Sequence, residues 1–419
     1  MSEEEKSFRA PRGTYDLLPP ASLEWQRVMR LAMDVFALSG YQPVETPMFE
    51  HTEVFERGVG AASEVVGKQM YTFIDRGDRS LTLRPEGTAP VVRSVLEHNL
   101  HRGALPVKLA YAGPMFRQER PQKGRYRQFW QVGIEALGTD APLLDAEVIE
   151  VGKRFLAQAG VETELLLNSI GHLDPSCRGA YLEELKRFLN DHAVELAEDD
   201  RERVDKNPLR TFDSKERATV AVMRAAPAIT DHLCPDCNQH FQEVRDLLDE
   251  LDVTYTLAPR LVRGLDYYTR TAFEFVAGGL GSQNAVGGGG RYDGLAENLG
   301  GDPLPGIGFA LGVDRIVIAA GREEPMPAAV QVYVVAVGRD AQRAALGLAT
   351  RLRRAGIGAD LDPTGRSMKG QMKQASSSGA RWAAILGERE LASGHVTVKD
   401  LATSEQQEVG LDELEAVVR

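Results

Sequence analysis

Residues 70–135 constrain the fold most. Short β-like runs (YTFID, LTLRP, VKLAYAG, FWQVGIEAL) alternate there around one helical stretch, TAPVVRSVLEHNL. Runs of this kind, punctuated by turn formers, predict antiparallel strands with an inserted helix, and hence an α+β domain built on an antiparallel sheet. Upstream, residues 23–39 place apolar side chains at helical spacing and stop at Gly40, a natural C′ residue. YQPVETPMFEHTEVF then reads as a strand broken by Pro43 and Pro47, which predicts an edge or an interface. A helix over 144–159 and a strand over 163–170 follow.

From 172 to 252 the text turns acidic and helical (YLEELKRFLNDHAVELAEDDRERV), and the β-rich character resumes at Val253 with VTYTLAPRLVRGLDYYTRTAFEFV. This predicts a helical insertion, 172–252, within a first domain made of 1–171 and 253–322. GREEPMPAAV, with two prolines, marks a linker at 323–329. Beyond it, VQVYVVAV, AQRAALGLATRLRRAG, IGADLD, another helix and WAAILG repeat a βαβα pattern, which predicts a small α/β domain over 330–419.

The net charge of −12 over 419 residues argues against a general nucleic-acid coat, which needs a basic face. Arg351, Arg353 and Arg354 are a local basic cluster, readable as an RNA contact or as a solvated helix face. The polar start MSEEEKSFRAPRG lacks an apolar segment of the secretory kind, and no apolar run approaches the ~20 residues that span a bilayer. With three cysteines and no disulfide framework, a reducing cytoplasm is the expected location.

Several segments carry chemistry. In TLRPEGTAP, Arg84, Glu86 and Thr88 alternate, so on an extended strand all three share a face and offer a carboxylate and a hydroxyl to an ammonium. A surface strand with a salt-bridged glutamate reads equally from this segment alone. In GPMFRQERPQKGRYRQFWQVGIEALG, Arg117, Arg120, Lys123, Arg125 and Arg127 surround a Pro/Gly turn, and the strand resumes into Gln131 and Glu135. Guanidinium groups offer paired donors to phosphate oxygens, so this cationic hairpin suits a polyphosphate or nucleic acid. LVRGLDYY sets Arg263 among apolar residues, with Asp266 as a candidate partner; of Tyr267 and Tyr268, one core and one exposed ring is expected. AVGGGGRYDG fits neither common phosphate-loop pattern but permits close backbone approach. HLCPDCNQH holds His232, Cys234, Cys237 and His240, but a structural zinc site joins separated halves; the segment reads as a turn with incidental thiols and no metal is expected.

Taken in order, these segments resemble a class II aminoacyl-tRNA synthetase, and specifically the histidyl-tRNA synthetase family. The helix ending at Gly40 with the strand reaching Pro47 resembles motif 1, FRQER with GRYRQF motif 2, and GIGFALGVDR motif 3; LVRGLDYY and GGRYD resemble the two histidine-specific signatures. The resemblance implies ATP-dependent activation of histidine and its transfer to tRNA(His), in a cytoplasmic homodimer. It implies that Glu86 and Thr88 bind the histidine ammonium, Gln131 its backbone, and Glu135 with Tyr268 the imidazole, while Tyr267 and Tyr292 line the pocket. Arg117 and Arg263 would hold the α-phosphate as the catalytic pair, Arg315 the γ-phosphate, and Glu119 would lie near the nucleotide. Gln118, Arg120, Lys123 and Arg125 would face the tRNA acceptor end, and the C-terminal α/β domain would bind the anticodon. ATP with Mg2+ is implied as substrate, with no tightly bound organic cofactor. Asp314 departs from the glutamate common in motif 3. A histidine-binding regulatory subunit that charges no tRNA is the rival reading; the retained arginines and the C-terminal domain favour the enzyme.

Overall fold

The computed structural model describes residues 8–60, 63, 65–172, 174–262, 265–280, 284–322 and 330–419. They divide into two units, Met1–Glu323 and Glu324–Arg419. The linker expected at 323–329 lies outside the described residues.

The first unit is organised by an eight-stranded sheet in the order Gln42–Pro43, Val107–Phe116, Gln128–Leu137, Gly306–Gly312, Ala285–Arg291, Thr269–Val276, Glu164–Ser169, Thr256–Leu257. The inner pairings are antiparallel and the outermost pairing at each edge is parallel. Pro43 does sit on an edge strand, where its missing N–H costs no ladder bond. The rest of the proline-broken run separates from this sheet: Phe49–His51 joins Tyr71–Ile74 and Ser80–Leu83 in a three-stranded sheet.

Strand alternation gives the large sheet two different faces. Val132, Ile134 and Ala136 enter the main core with Phe275 and Phe309. Helices Ala21–Leu38, Pro142–Ala159, Pro235–Glu250 and Val313–Ala320 cover that face, burying Trp25, Phe36, Ile149, Phe155, Phe241, Val244 and Ile316. Gly40, at φ +83°, ends the first helix as its position predicted. Residues of the intervening parity, Gly133 and Glu135, lie on the other face, among Tyr111, Tyr267, Tyr268 and Tyr292. Helices Ala180–Asp191 and Arg217–Met223 of the 172–252 segment pack there through Tyr181, Leu185 and Met223. Helix Pro235–Glu250, from the same segment, instead belongs to the main core.

Two local expectations are overturned. TLRPEGTAP is not one extended strand: the strand stops at Leu83 and a helix, Thr88–Glu97, begins within the motif. Pro85 denies the ladder a donor, and Glu86 instead accepts from the amides of Thr88 at 2.7 Å and Ala89 at 2.9 Å, satisfying helix-start donors. Tyr267 and Tyr268 are both buried, 6% and 7% exposed, because the chain leaves the extended conformation there and tucks both rings under the sheet.

The second unit has its own sheet, ordered Ala359–Leu361, Val332–Ala336, Trp382–Leu386, His395–Asp400, Gln406–Gly410. The first three strands are parallel, as the βαβα pattern predicts, and an antiparallel hairpin is added at one edge. Helix Arg339–Arg354 covers one face and Met368–Ser377 the other.

Candidate active site

Glu135 stands at the centre of the tyrosine-rich face and has no exposed surface. Its partner across the ladder is Gly308, where an added Cβ would lie 2.0 Å from Glu135 Oε2. Glycine at that position therefore makes the space that the carboxyl group fills. Tyr292 donates to one carboxyl oxygen at 2.6 Å, while Thr88 at 2.7 Å and Tyr111 at 3.5 Å donate to the other. Burial pushes the Glu135 carboxyl up to about 8, and the hydrogen bonds from Tyr292 and Thr88 oppose that rise. Burial also holds the phenols of Tyr111, Tyr267 and Tyr292 well above their ordinary range, so they remain neutral donors.

The rings of Tyr267 and Tyr268 are 4.7 Å apart and those of Tyr267 and Tyr292 5.9 Å, forming a wall beside the carboxyl group. The Tyr267 hydroxyl reaches Glu86 at 3.4 Å. Arg178, from the 172–252 segment, is buried and donates to the Tyr268 carbonyl at 2.5 Å. Gln131 shares the parity of Glu135, and among the described residues its buried Oε1 has no hydrogen-bond partner. The floor of this region is the strand Ala285–Arg291 with its four glycines, lying between Thr269–Val276 and Gly306–Gly312. Side chains there would collide with the neighbouring backbone: an added Cβ at Gly287 would lie 2.3 Å from the Ala310 carbonyl oxygen, and at Gly289 1.9 Å from that of Gly308.

A cationic region adjoins the carboxyl-lined one. Arg117 follows the strand Val107–Phe116; its Nε donates to the Pro85 carbonyl at 2.9 Å and its guanidinium lies 5.3 Å from the Phe129 ring centre. Burial lowers the Arg117 pKa, against the pull of Glu119 and Glu86. Glu119 lies between Arg117 at 3.9 Å and Arg125 at 3.0 Å. Arg315, on the helix Val313–Ala320, donates to the carbonyls of Gly124 and Ala285. The strand ends thus bring Arg117, Glu119, Arg125 and Arg315 together, while Gln118, Arg120 and Lys123 are exposed on the hairpin loop. Arg263 lies outside the described residues. Asp266, its candidate partner, pairs with Arg210 at 2.7 Å and accepts from Asn207 at 3.0 Å.

Sequence reasoning missed Tyr111, Arg178 and the Arg291–Asp145 pair. Tyr111 is opposite Gly133 in the ladder, so a large ring facing a glycine was the available signal. Arg291, within GGRYD, is fully buried; it contacts Asp145 at 2.6 Å and Asp293 at 3.0 Å and donates to the carbonyls of Thr139 and Ala141. Its surroundings make it a structural anchor for the glycine strand. Of the four residues in HLCPDCNQH, His232 turns to Glu184 at 3.4 Å and His240 to Asp145 at 3.5 Å. Cys234 and Cys237 instead approach His172 and Cys177. In the second unit, Arg351 contacts Asp412 and Glu415, and Arg353 the Ala359 carbonyl, so both tie their helix to neighbouring segments of the same unit.

This arrangement can bind a small molecule that carries both donor and acceptor groups next to an anionic phosphate chain. The family model described as "Histidyl-tRNA synthetase" matches residues 13–316, and that described as "Anticodon binding domain" matches 331–419. The chain is 48% identical over 410 residues to a histidine–tRNA ligase of Halothermothrix orenii, covering 97% of each chain. It is 52% identical over 405 residues to one of Moorella thermoacetica, covering 96% of this chain and 95% of that one. The crystal structure of apo S. aureus histidyl-tRNA synthetase superposes with a TM-score of 0.82 at 37% identity, covering 98% of this chain and 99% of that one. With its class II fold, its buried Glu135 carboxyl ringed by tyrosines and relatives that match from end to end, the chain belongs to the histidyl-tRNA synthetase family.

Proposed function

We propose that the protein is a histidine–tRNA ligase that joins histidine to AMP at the expense of ATP, releases pyrophosphate, and transfers the histidyl group to the 3′ end of tRNA(His). The observation that carries the reading is the buried Glu135, ringed by Tyr292, Thr88 and Tyr111, beside Arg117. Imidazole has distinct donor and acceptor edges, and a carboxyl group with a phenol satisfies both. Glu135 and Tyr268 take those edges. A pocket built this way rejects apolar analogues, because its own polar groups would be buried unpaired.

Glu86 and Thr88 receive the α-ammonium. Each Glu86 oxygen holds one backbone N–H, and a carboxylate has further lone pairs to offer. Gln131, whose buried Oε1 has no hydrogen-bond partner among the described residues, contacts the histidine backbone, and Tyr267 and Tyr292 close the walls. In activation, a histidine carboxylate oxygen bonds to the α-phosphorus while the bond to the bridging oxygen of pyrophosphate breaks. Arg117 and Arg263 stabilise charge on the α-phosphoryl oxygens and Arg315 on the γ-phosphate, with Glu119 beside the nucleotide. ATP enters as its Mg2+ complex, as substrate. In transfer, a ribose hydroxyl of the terminal tRNA adenosine attacks the activated carbonyl and AMP leaves; positioning supplies most of the catalysis.

Gln118, Arg120, Lys123 and Arg125 meet the acceptor end, and residues 330–419 the anticodon. The domain assignment follows: a catalytic domain, 1–171 and 253–322, with its insertion at 172–252, a linker at 323–329, and an anticodon-binding domain at 330–419. A homodimer is supported by Phe49, Phe73 and Ile74, exposed on the three-stranded sheet at 51%, 42% and 63%. A cytoplasmic location accords with three cysteines that form no disulfide; among the described residues no helix is long and apolar enough to cross a membrane.

The test is histidine-dependent exchange of pyrophosphate into ATP, then charging of tRNA. Folded protein that supports no exchange refutes the enzyme reading, and exchange without charging refutes its tRNA half. Light scattering at micromolar protein checks the dimer, and a monomer mass refutes it.

A further inference from the structure

Three thiols and an imidazole converge where the 172–252 segment leaves and rejoins the sheet. The Sγ atoms of Cys177, Cys234 and Cys237 and a ring nitrogen of His172 all lie within 4.8 Å of one another. His172 Nδ1 is 3.0 Å from Cys237 Sγ and 3.7 Å from Cys234 Sγ. The ligands come from two separated halves. His172 and Cys177 follow the strand Glu164–Ser169, and Cys234 and Cys237 frame the first turn of the helix Pro235–Glu250. Sequence spacing alone did not reveal the first half, because it lies nearly sixty residues upstream.

The surroundings suit thiolates. The Cys237 amide points at Cys234 Sγ and the Cys234 amide at Cys177 Sγ, each at 3.4 Å. Such N–H···S contacts stabilise sulfur that carries negative charge, and they are typical of the shell around a metal-bound thiolate. Cys177 and Cys237 are 1% and 0% exposed, so these two donors are shielded from solvent and fixed by packing, while His172 and Cys234 are half-buried. Gly171, at φ +64°, keeps the approach to Cys177 free, since an added Cβ would lie 2.8 Å from its sulfur. With Zn–S near 2.3 Å and Zn–N near 2.0 Å, a tetrahedral Cys3His site has edges of roughly 3.5–3.8 Å. The observed separations reach that by small side-chain movements.

We propose that His172, Cys177, Cys234 and Cys237 bind one zinc ion as a structural Cys3His site that locks the start of the excursion to its return. Binding replaces three thiol protons, which pass to water, and leaves the centre with one net negative charge. Arg178, the neighbour of Cys177 in sequence, supplies a buried positive charge beside it. It donates to the carbonyls of Ile170, Gly171 and Tyr268. The site therefore holds the element through which Arg178 positions the pocket tyrosine.

The test uses the full chain, untagged and purified without chelator from zinc-replete medium, with zinc and iron measured by plasma mass spectrometry. Roughly one zinc per chain is expected, released by a mercurial reagent together with three reactive thiols. Reduced apoprotein reloaded with Co2+ should show thiolate charge-transfer and tetrahedral d–d absorption, a readout that needs no variant. Cys237→Ser should lose the zinc, and His172→Cys should retain it. Substoichiometric zinc together with a featureless cobalt spectrum overturns the proposal. So does iron in place of zinc, a disulfide found by alkylation mapping, or zinc retained in both Cys237→Ser and Cys177→Ser.

Discussion

Tyr292 donates its phenolic proton to Glu135 across 2.6 Å, and neither side chain has more than 1% of its surface exposed. A carboxyl group so enclosed holds its proton at neutral pH, with its value pushed to about 8 mainly by burial. The pocket is therefore tuned by the removal of water, with neutral phenols and a hydroxyl as the remaining partners.

That burial predicts a pH dependence of stability. The folded-state pKa of Glu135 lies above its unfolded value, so between the two the folded protein binds the extra proton. Its contribution is complete below the unfolded pKa and is lost as pH rises through about 8. Denaturant melts from about pH 5 to about pH 9 should show wild-type stability falling more steeply than that of Glu135→Gln. Parallel curves would contradict the buried protonated state. The same substitution should raise KM for histidine by about ten- to a hundredfold, as expected for an unmatched polar contact.

Arg117 is held by the Pro85 carbonyl and packed over Phe129, an arrangement that fixes the plane of its guanidinium. Arg117→Ala should lower the rate of pyrophosphate exchange by about a hundred- to a thousandfold, with little change in KM for histidine. Arg117→Lys should restore little, because an ammonium lacks the planar pair of donors. Substantial recovery in the lysine variant would reduce the role of Arg117 to charge alone.

Gly308 and Gly347 make an informative pair. At Gly308 an added Cβ would lie 2.0 Å from Glu135 Oε2 and 2.4 Å from the Ile134 carbonyl oxygen. Gly308→Ala should cost about 1–3 kcal/mol and weaken histidine binding as Glu135 is displaced. Gly347 lies inside the helix Arg339–Arg354 with nothing within 4 Å of its added Cβ. Gly347→Ala should stabilise its unit by about 0.5–1 kcal/mol. Calorimetry distinguishes the two signs, and equal effects would refute the steric argument.

Arg291 and Asp145 form a fully buried ion pair at 2.6 Å. Arg291→Met alone should destabilise the protein by about 3–5 kcal/mol, because it strands the Asp145 charge. Adding Asp145→Leu should recover much of that loss in a double-mutant cycle. Additive losses would show that the two residues act independently.

Much of this was legible in the sequence. The strands of residues 70–135 and the βαβα order after residue 330 were set by periodicity, which requires only that one face of each element meet a core. Arg117 stood out in the cationic hairpin, whereas the role of Glu135 came only with the family resemblance. Other features depended on contacts, local or distant, that periodicity does not encode. The helix start at Thr88 is fixed by the Glu86 carboxylate, a local bond that alternation does not encode. The burial of both Tyr267 and Tyr268 comes from packing on the far side of the sheet. Arg178 meets Tyr268 across ninety residues, and Cys177 meets Cys234 across fifty-seven, distances in sequence over which spacing carries no information.

The glycine strand Ala285–Arg291 has a consequence for how such a pocket can change over generations. At Gly287 and Gly289, where the neighbouring backbone leaves no room for even a methyl group, almost every coding substitution damages the sheet before it can alter selectivity. Under the proposed function, ligand preference can therefore change through the walls, at residues such as Thr88, Tyr267, Tyr268 and Tyr292, while the floor stays closed to experiment.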